Sequence, residues 1–296
     1  MEGSNSVADL YRNPSSFTTE HAGQWRDLLL NREKTCKELG CEYVHLPAPE
    51  KLTVLHRFYD GEIENLSGSP IRQLSALCGN KFSCLINPLP YFERQSKNYL
   101  LYWKSDTHWS FWGCYSAYQL LCSRLDCPSN DKLIDYPYTE GPVVFDLASK
   151  LPEPYAETGR FYMLDQEAQR VSANPLVTFK EENKLVDELS LHVGSSVVYR
   201  NESESAIDKK VILFGDSFAE YRAHLLTGML AETFREVHFI WNACLDYEYI
   251  EDQQPDIVVS ELAERFMTRV PVDDLELDAF VEERLSDYTQ NMAYAA

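Results

Sequence analysis

The sequence predicts an α/β chain with a mainly parallel central sheet and helices on both of its faces. Three observations predict it. Segments of helical period and of strand length alternate through the first 125 residues. The same alternation resumes after Asp208. No internal repeat is visible, and the two regular parts read as one domain over residues 1–296 interrupted in the middle, where about 126–208 is a candidate inserted lobe.

The elements follow in order. From Ser16 to Leu39 apolar residues fall at helical spacing (Trp25, Leu28, Leu29, Cys36, Leu39), and Gly40 ends the helix. YVHLPAP (43–49) is a short strand closed by proline. SPIRQLSALCG (69–79) is a helix with Ser-Pro at its start and glycine at its end. FSCLI (82–86) is a strand, PLPYFERQSKN (88–98) a short helix or turn, and YLLYW (99–103) an apolar run of strand length. HWSFWGCYSAYQLLCSRL (108–125) has the three-to-four spacing of a helix. From Asp126 to Asp208 prolines, acids and tyrosines mix without a steady period, with LVTFKEEN and SSVVYRN as short strands. KKVILFGDS (209–217) then runs from strand to turn, and FAEYRAHLLTGMLAETF (218–234) is a helix. EVHFIWNA (236–243) and PDIVVSE (255–261) are strands, and LAERFM opens a further helix.

Charge narrows the function classes. With 47 acidic and 27 basic residues the net charge is −20. Such a chain repels nucleic-acid backbones and anionic lipid surfaces, so neither partner is expected. Hydrophobic residues, 44% of the chain, are enough to fill a core. No run of 18 apolar residues occurs, so no direct membrane insertion is expected. The opening MEGSNSVADLYRNPSS lacks the basic and apolar regions of a signal peptide. The chain reads as cytoplasmic, with periplasm or cell envelope as the alternative if a leader was removed. The eight cysteines (36, 41, 78, 84, 114, 122, 127 and 244) lack the tight CxxC spacing of zinc sites. They read as buried free thiols.

VILFGDSFAEY is the sharpest local signal. VILF makes a buried strand, Gly215 permits a tight turn, and Ser217 falls where the predicted helix starts. That lifts a hydroxyl above the carboxyl edge of the sheet, where open α/β sheets bind ligands. Backbone N–H groups at a helix start, unsatisfied within the helix, would hold an oxyanion. An ordinary serine N-cap fits the same stretch. GxSxG is absent, which disfavours the α/β-hydrolase elbow.

A serine hydroxyl needs a base. Of seven histidines, His238 in an apolar strand and His224 in the predicted helix read as structural, and His21, His45, His56 and His192 lack an acid at useful spacing. His108 has Asp106 two residues before it, close enough to reach Nδ1 and fix the tautomer. In isolation D-x-H also fits a turn with a helix cap. A metal is not expected, because no third and fourth ligand is identifiable.

SDTHW (105–109), GDSF (215–218) and PDIVVSELAERF (255–266) together resemble the SGNH-hydrolase-like polysaccharide O-acetyltransferases of the alginate acetylation (AlgX/AlgJ-like) type. YVHLPAPEKLTVLHRFYD and YLLYWKSDTHWSFWGCYSAYQLL extend the similarity, which covers about residues 20–125 and 205–270. The resemblance implies a three-layer SGNH-like fold and a Ser-His-Asp triad in which the acid and the histidine precede the serine. Ser217 is then the nucleophile, His108 the general base and acid, and Asp106 the orienting carboxylate. Gly215 and Asp216 shape the elbow, and the Ser217 N–H supplies part of the oxyanion hole. Tyr221, Arg222, Asn242 and Trp109 are candidates for substrate binding. Glu264 and Arg265 match an ER pair of the family and read as an ion pair near the sheet edge.

The implied activity is transfer of an acetyl group through a serine acyl-enzyme to a saccharide or polysaccharide hydroxyl. No cofactor is expected beyond an acetyl donor, either acetyl-CoA or an acetyl group relayed by a membrane partner. An acetyl esterase with the same triad and a non-catalytic saccharide-binding module are the alternatives, the second favoured by aromatic residues such as Trp103, Trp109 and Trp112.

Overall fold

The structure, a computed structural model, describes residues 7–13, 15–59, 66–79 and 82–295. The first six residues of the N-terminal stretch read for a leader lie outside the described residues. A short α1 (Asp9–Arg12) precedes α2 (Thr19–Glu38) and β1 (Glu42–Ala48). Four helices follow: α3 (Lys51–Leu55), α4 (Pro70–Cys78), α5 (Leu89–Gln95) and α6 (Phe111–Arg124). The middle of the chain forms β2 (Tyr138–Val143), β3 (Glu157–Tyr162), β4 (Ala168–Ala173), α7 (Pro175–Glu182) and β5 (Ser196–Asn201). The last part is β6 (Ile207–Gly215), α8 (Leu226–Ala231), β7 (Phe234–Trp241), α9 (Tyr247–Gln253), β8 (Ile257–Ala263) and α10 (Leu277–Ala295).

Six strands form one sheet in the order β1-β8-β6-β7-β5-β4, and β2 pairs with β3 in a separate antiparallel ribbon. β1, β8, β6 and β7 are parallel to one another, while β5 and β4 extend the sheet by antiparallel pairing. The register places Val44 beside Val259 and Leu213 beside Val259 and Phe239, so the sheet centre is a continuous apolar band. All seven residues of β8 are buried. The expected mainly parallel α/β architecture is the one found.

α2 is capped reciprocally by Thr18 and His21, and it buries Trp25, Leu29 and Cys36 against β1 and α4. The Trp25 indole donates to the Met267 carbonyl at 2.7 Å, which ties α2 to the segment after β8. Arg32 sits fully buried on the same helix and forms a two-point ion pair with Asp273 at 2.6 and 2.8 Å. All eight cysteines are free. Among the described residues no helix is long and apolar enough to cross a membrane.

Four local expectations change. FSCLI and YLLYW are not strands. Each contributes a single bridge, Leu85 to His45 and Tyr102 to Trp109. Cys84, Ile86, Leu101 and Tyr102 are buried in the core by helix and loop packing, while Tyr99 and Leu100 stay exposed. LVTFKEEN belongs to helix α7, because Asn174 caps the Val177 N–H, Pro175 opens the helix, and Leu176, Val177 and Lys180 share its buried side. The predicted helix 218–234 shrinks to α8, Leu226–Ala231.

Candidate active site

Four parallel strands bring their carboxyl ends to one cleft of about 1260 Å3. Glu50 and Lys51 follow β1, Arg265 and Phe266 follow β8, Asp216 and Ser217 follow β6, and Trp241 ends β7; all line the cleft. Trp103, loop residues 106–109 and 145–147, and the end of β3 close the facing wall.

Ser217 lies just past β6, half-buried, in a turn. Its Oγ is 2.8 Å from His108 Nε2. The other ring nitrogen, Nδ1, is 2.8 Å from Asp106 Oδ1, and that same oxygen accepts the His108 backbone N–H at 2.9 Å. The carboxylate only accepts, so Nδ1 carries the proton and Nε2 is left to accept from the serine hydroxyl. The three residues singled out in the sequence therefore form one continuous hydrogen-bonded line.

Electrostatics support that protonation pattern. Burial alone pulls His108 down, but the hydrogen bond and charge of Asp106 outweigh it, and the imidazole is held above its ordinary value. Burial pushes Asp106 up, but its hydrogen bond and ion pair with His108 bring the carboxyl below the usual carboxylate range. Phe218 lies 5.0 Å from the imidazole, and Trp109 packs edge-on against Phe218 at 4.9 Å.

The loop carrying Asp106 and His108 is gripped from three directions. Lys51 Nζ donates to the carbonyls of Trp103 and Lys104 at 2.7 Å and of Asp106 at 3.2 Å. Glu157 accepts from the Ser105 N–H and hydroxyl at 2.8 and 2.7 Å. Asp146 accepts from the Thr107 N–H at 2.9 Å and its hydroxyl at 2.6 Å. Lys51 falls inside the resembling segment, but Asp146 and Glu157 carry no sequence signal, because they lie in the stretch without steady period. Asp106, His108 and Asp146 could by spacing hold a cation; in this structure their ligand atoms instead serve Ser217, Thr107 and one another.

The elbow differs from expectation. Ser217 does not open a helix. The Asp216 side chain takes the Phe218 N–H, and the Asp216 carbonyl takes those of Ala219 and Glu220. Glu220 adopts a left-handed φ of 59° and its carboxylate accepts from the Tyr221 and Arg222 N–H groups. These side-chain acceptors replace helical carbonyls, so the helix waits until Leu226. The anion-binding donors of a helix start are therefore not at Ser217. Within the turn, the Ser217 N–H is the one that makes no hydrogen bond among the described residues. Gly215 is required by space: a Cβ there would lie 2.8 Å from Ala219 Cβ and 3.1 Å from Glu261 Oε2.

The other candidates divide. Arg222 and Trp109 line the cleft, though Trp109 is almost wholly buried. Tyr221 and Asn242 do not line it: Tyr221 packs in the core, and Asn242 Oδ1 accepts the Cys244 N–H at 2.9 Å. Glu264 and Arg265 are not an ion pair with each other. Arg265 pairs with Glu50 at 3.1 Å, while Glu264 accepts from the hydroxyls of Thr53 and Ser69. His192 and His224 line the cleft, whereas His238 is buried between Glu236 and Tyr249.

No protein-family model matches the sequence, and no curated protein matches it. Solved structures do match the fold. Bacillus cereus PatB1 superposes with a TM-score of 0.63 at 15% identity, covering 86% of this chain and 92% of that one, both by itself and with a sulfonyl adduct. A DHHW family protein from Eubacterium siraeum gives 0.61 at 13% identity, over 84% of this chain and 86% of that one. The O-acetyltransferase domain of Pseudomonas putida AlgJ gives 0.55 at 14% identity, over 92% of this chain and 94% of that one. The chain shares the α/β fold of these solved structures, an O-acetyltransferase domain among them.

Proposed function

We propose that the protein is a serine O-acetyltransferase that moves an acetyl group through a Ser217 acyl-enzyme to a saccharide hydroxyl. One observation carries the reading: Asp106, His108 and Ser217 are joined by two hydrogen bonds of 2.8 Å at the mouth of a large cleft. The AlgJ domain of the same fold, an O-acetyltransferase, supports it.

In the first half-reaction His108 Nε2 takes the Ser217 proton as Oγ attacks the acetyl carbonyl. The tetrahedral oxyanion lies against the free Ser217 N–H. Its collapse breaks the bond to the donor, and the imidazolium returns its proton to the leaving group. In the second half His108 takes the proton of the acceptor hydroxyl, whose oxygen attacks the acyl-enzyme. The new ester leaves and Ser217 recovers its proton. The cleft is far larger than an acetyl group, and Trp103, Phe145 and Phe161 offer ring faces on its wall for a sugar acceptor.

Hydrolysis by the same triad is the second reading. The His108 side chain is 28% exposed, so water can reach the acyl-enzyme. Intact-protein mass spectrometry after exposure to a chromogenic acetyl ester tests both. Wild type should gain one acetyl group that Ser217→Ala does not, and glycan addition should discharge it onto sugar. Equal labelling of the two proteins would overturn the acyl-enzyme; discharge to acetate unaffected by glycan would select the esterase.

A further inference from the structure

Beneath Ser217 lies a group of buried acids with too few cations. Glu50, Asp216, Glu261 and Glu264 are each at most 6% exposed, and Arg265 is the cation beside them. Three of the four are satisfied. Glu50 pairs with Arg265. Glu264 accepts from two hydroxyls and from the Glu50 N–H at 3.1 Å. Asp216 accepts the N–H groups of Phe218 at 2.9 Å and Ala263 at 2.8 Å, one on each oxygen.

Glu261 is different. Its Oε2 accepts the Asp216 N–H at 3.1 Å, while its Oε1, fully enclosed, meets no hydrogen-bond donor among the described residues. A buried anion with one neutral donor and a neighbouring carboxylate is not sustainable, and such a group takes up a proton. Charged or titratable groups facing it are Asp216 from the turn after β6, Arg265 from the turn after β8, and Cys114 from α6. Burial first, and then the Asp216 charge, hold the Glu261 carboxyl well above the usual carboxylate range.

The pair brackets the serine. Glu261 fixes the backbone before Ser217 through the Asp216 N–H, and Asp216 fixes it after through the Phe218 N–H. We propose that Glu261 is a positioning residue that works in its protonated form, donating to the Asp216 carboxylate, and that loss of this proton forces the two acids apart and disorders the serine elbow. The consequence for catalysis rests on the Ser217 acyl-enzyme reading above; the shared proton does not.

The test measures the rate of Ser217 modification by a sulfonyl fluoride, and the thermal midpoint, each against pH, for wild type and Glu261→Gln. The amide keeps an acceptor for the Asp216 N–H and a donor toward its carboxylate without titrating. Wild type should show a bell, rising as His108 loses its proton and falling as Glu261 does. Glu261→Gln should keep the rise, hold a maximum within about threefold of wild type, and lose the fall. Because the folded carboxyl holds its proton more tightly than the unfolded one, wild-type stability declines with rising pH above the ordinary carboxylate range. The variant should lack that part of the decline. Identical alkaline limbs and identical stability profiles would overturn the proposal. Should the variant not fold, infrared spectra of wild type decide: absence of any protonated-carboxyl C=O band at neutral pH overturns it. If serine modification fails in both proteins while the stability difference stands, the acyl-enzyme reading falls and the shared proton survives.

Discussion

Asp106 acts on His108 at two points, the ring Nδ1 and the backbone N–H, so it sets both the tautomer and the direction of the imidazole. Asp106→Asn should leave the fold intact and lower kcat on the order of 10³–10⁴-fold, because the amide stabilises the wrong tautomer. The pH profile carries a second expectation in the same experiment. His108 works as a base only when neutral, and Asp106 holds it above its ordinary value. The acid limb of wild-type activity should therefore sit above the ordinary histidine range. In Asp106→Asn burial is left as the leading influence, and the limb should move down. A limb that stays put would sever the link between the two residues. This local pair was legible from spacing, since two residues of separation suffices for a side chain to meet a neighbouring ring. Asp146 was not, because its contact with Thr107 spans 39 positions.

The element that seats the pair is α6. Ser110 caps it, and Gly113 in its first turn faces the loop returning from Leu101. A Cβ at Gly113 would lie 2.1 Å from the Leu101 carbonyl oxygen and 2.9 Å from Trp109 Cβ. Backbone cannot yield there as a flexible side chain would. Gly113→Ala should cost about 1–3 kcal/mol and also slow Ser217 modification, because the displaced strand of loop carries Trp109 and, through it, His108. Urea melts and labelling rates on the same preparation check both; wild-type values in both would remove this helix from the account of the site. Periodicity found α6, and the Ser-Pro start and closing glycine found α4. Periodicity misjudged 218–225, where buried residues Phe218, Ala219 and Tyr221 imitate a helical face while the carboxylates of Asp216 and Glu220 occupy the backbone donors.

Across the whole molecule, distant segments are joined by buried polar contacts. Arg32 on α2 reaches Asp273, which also accepts the Leu245 N–H at 2.9 Å and the Tyr247 hydroxyl at 3.2 Å. Removing the acid leaves a buried guanidinium with its charge uncompensated. Asp273→Ala should lose about 3–5 kcal/mol, read as a lower urea midpoint with unchanged slope. A loss below about 1 kcal/mol would mean that water reaches Arg32 in the variant.

What the sequence by itself determined is what acts over a few residues or repeats along an element. The apolar runs of β6, β7 and β8, the Ser-Pro start and closing glycine of α4, and the Asp106–His108 pair are all of that kind. The tertiary structure alone decided the rest. His108 and Ser217 are 109 positions apart and meet because β1, β8, β6 and β7 present their carboxyl ends on one edge. Glu261 looks like any strand acid in PDIVVSELAERF, and only its enclosure beside Asp216 leaves its Oε1 without water or a donor among the described residues. Burial and charge pairing are properties of neighbours in space, and the sheet chooses those neighbours.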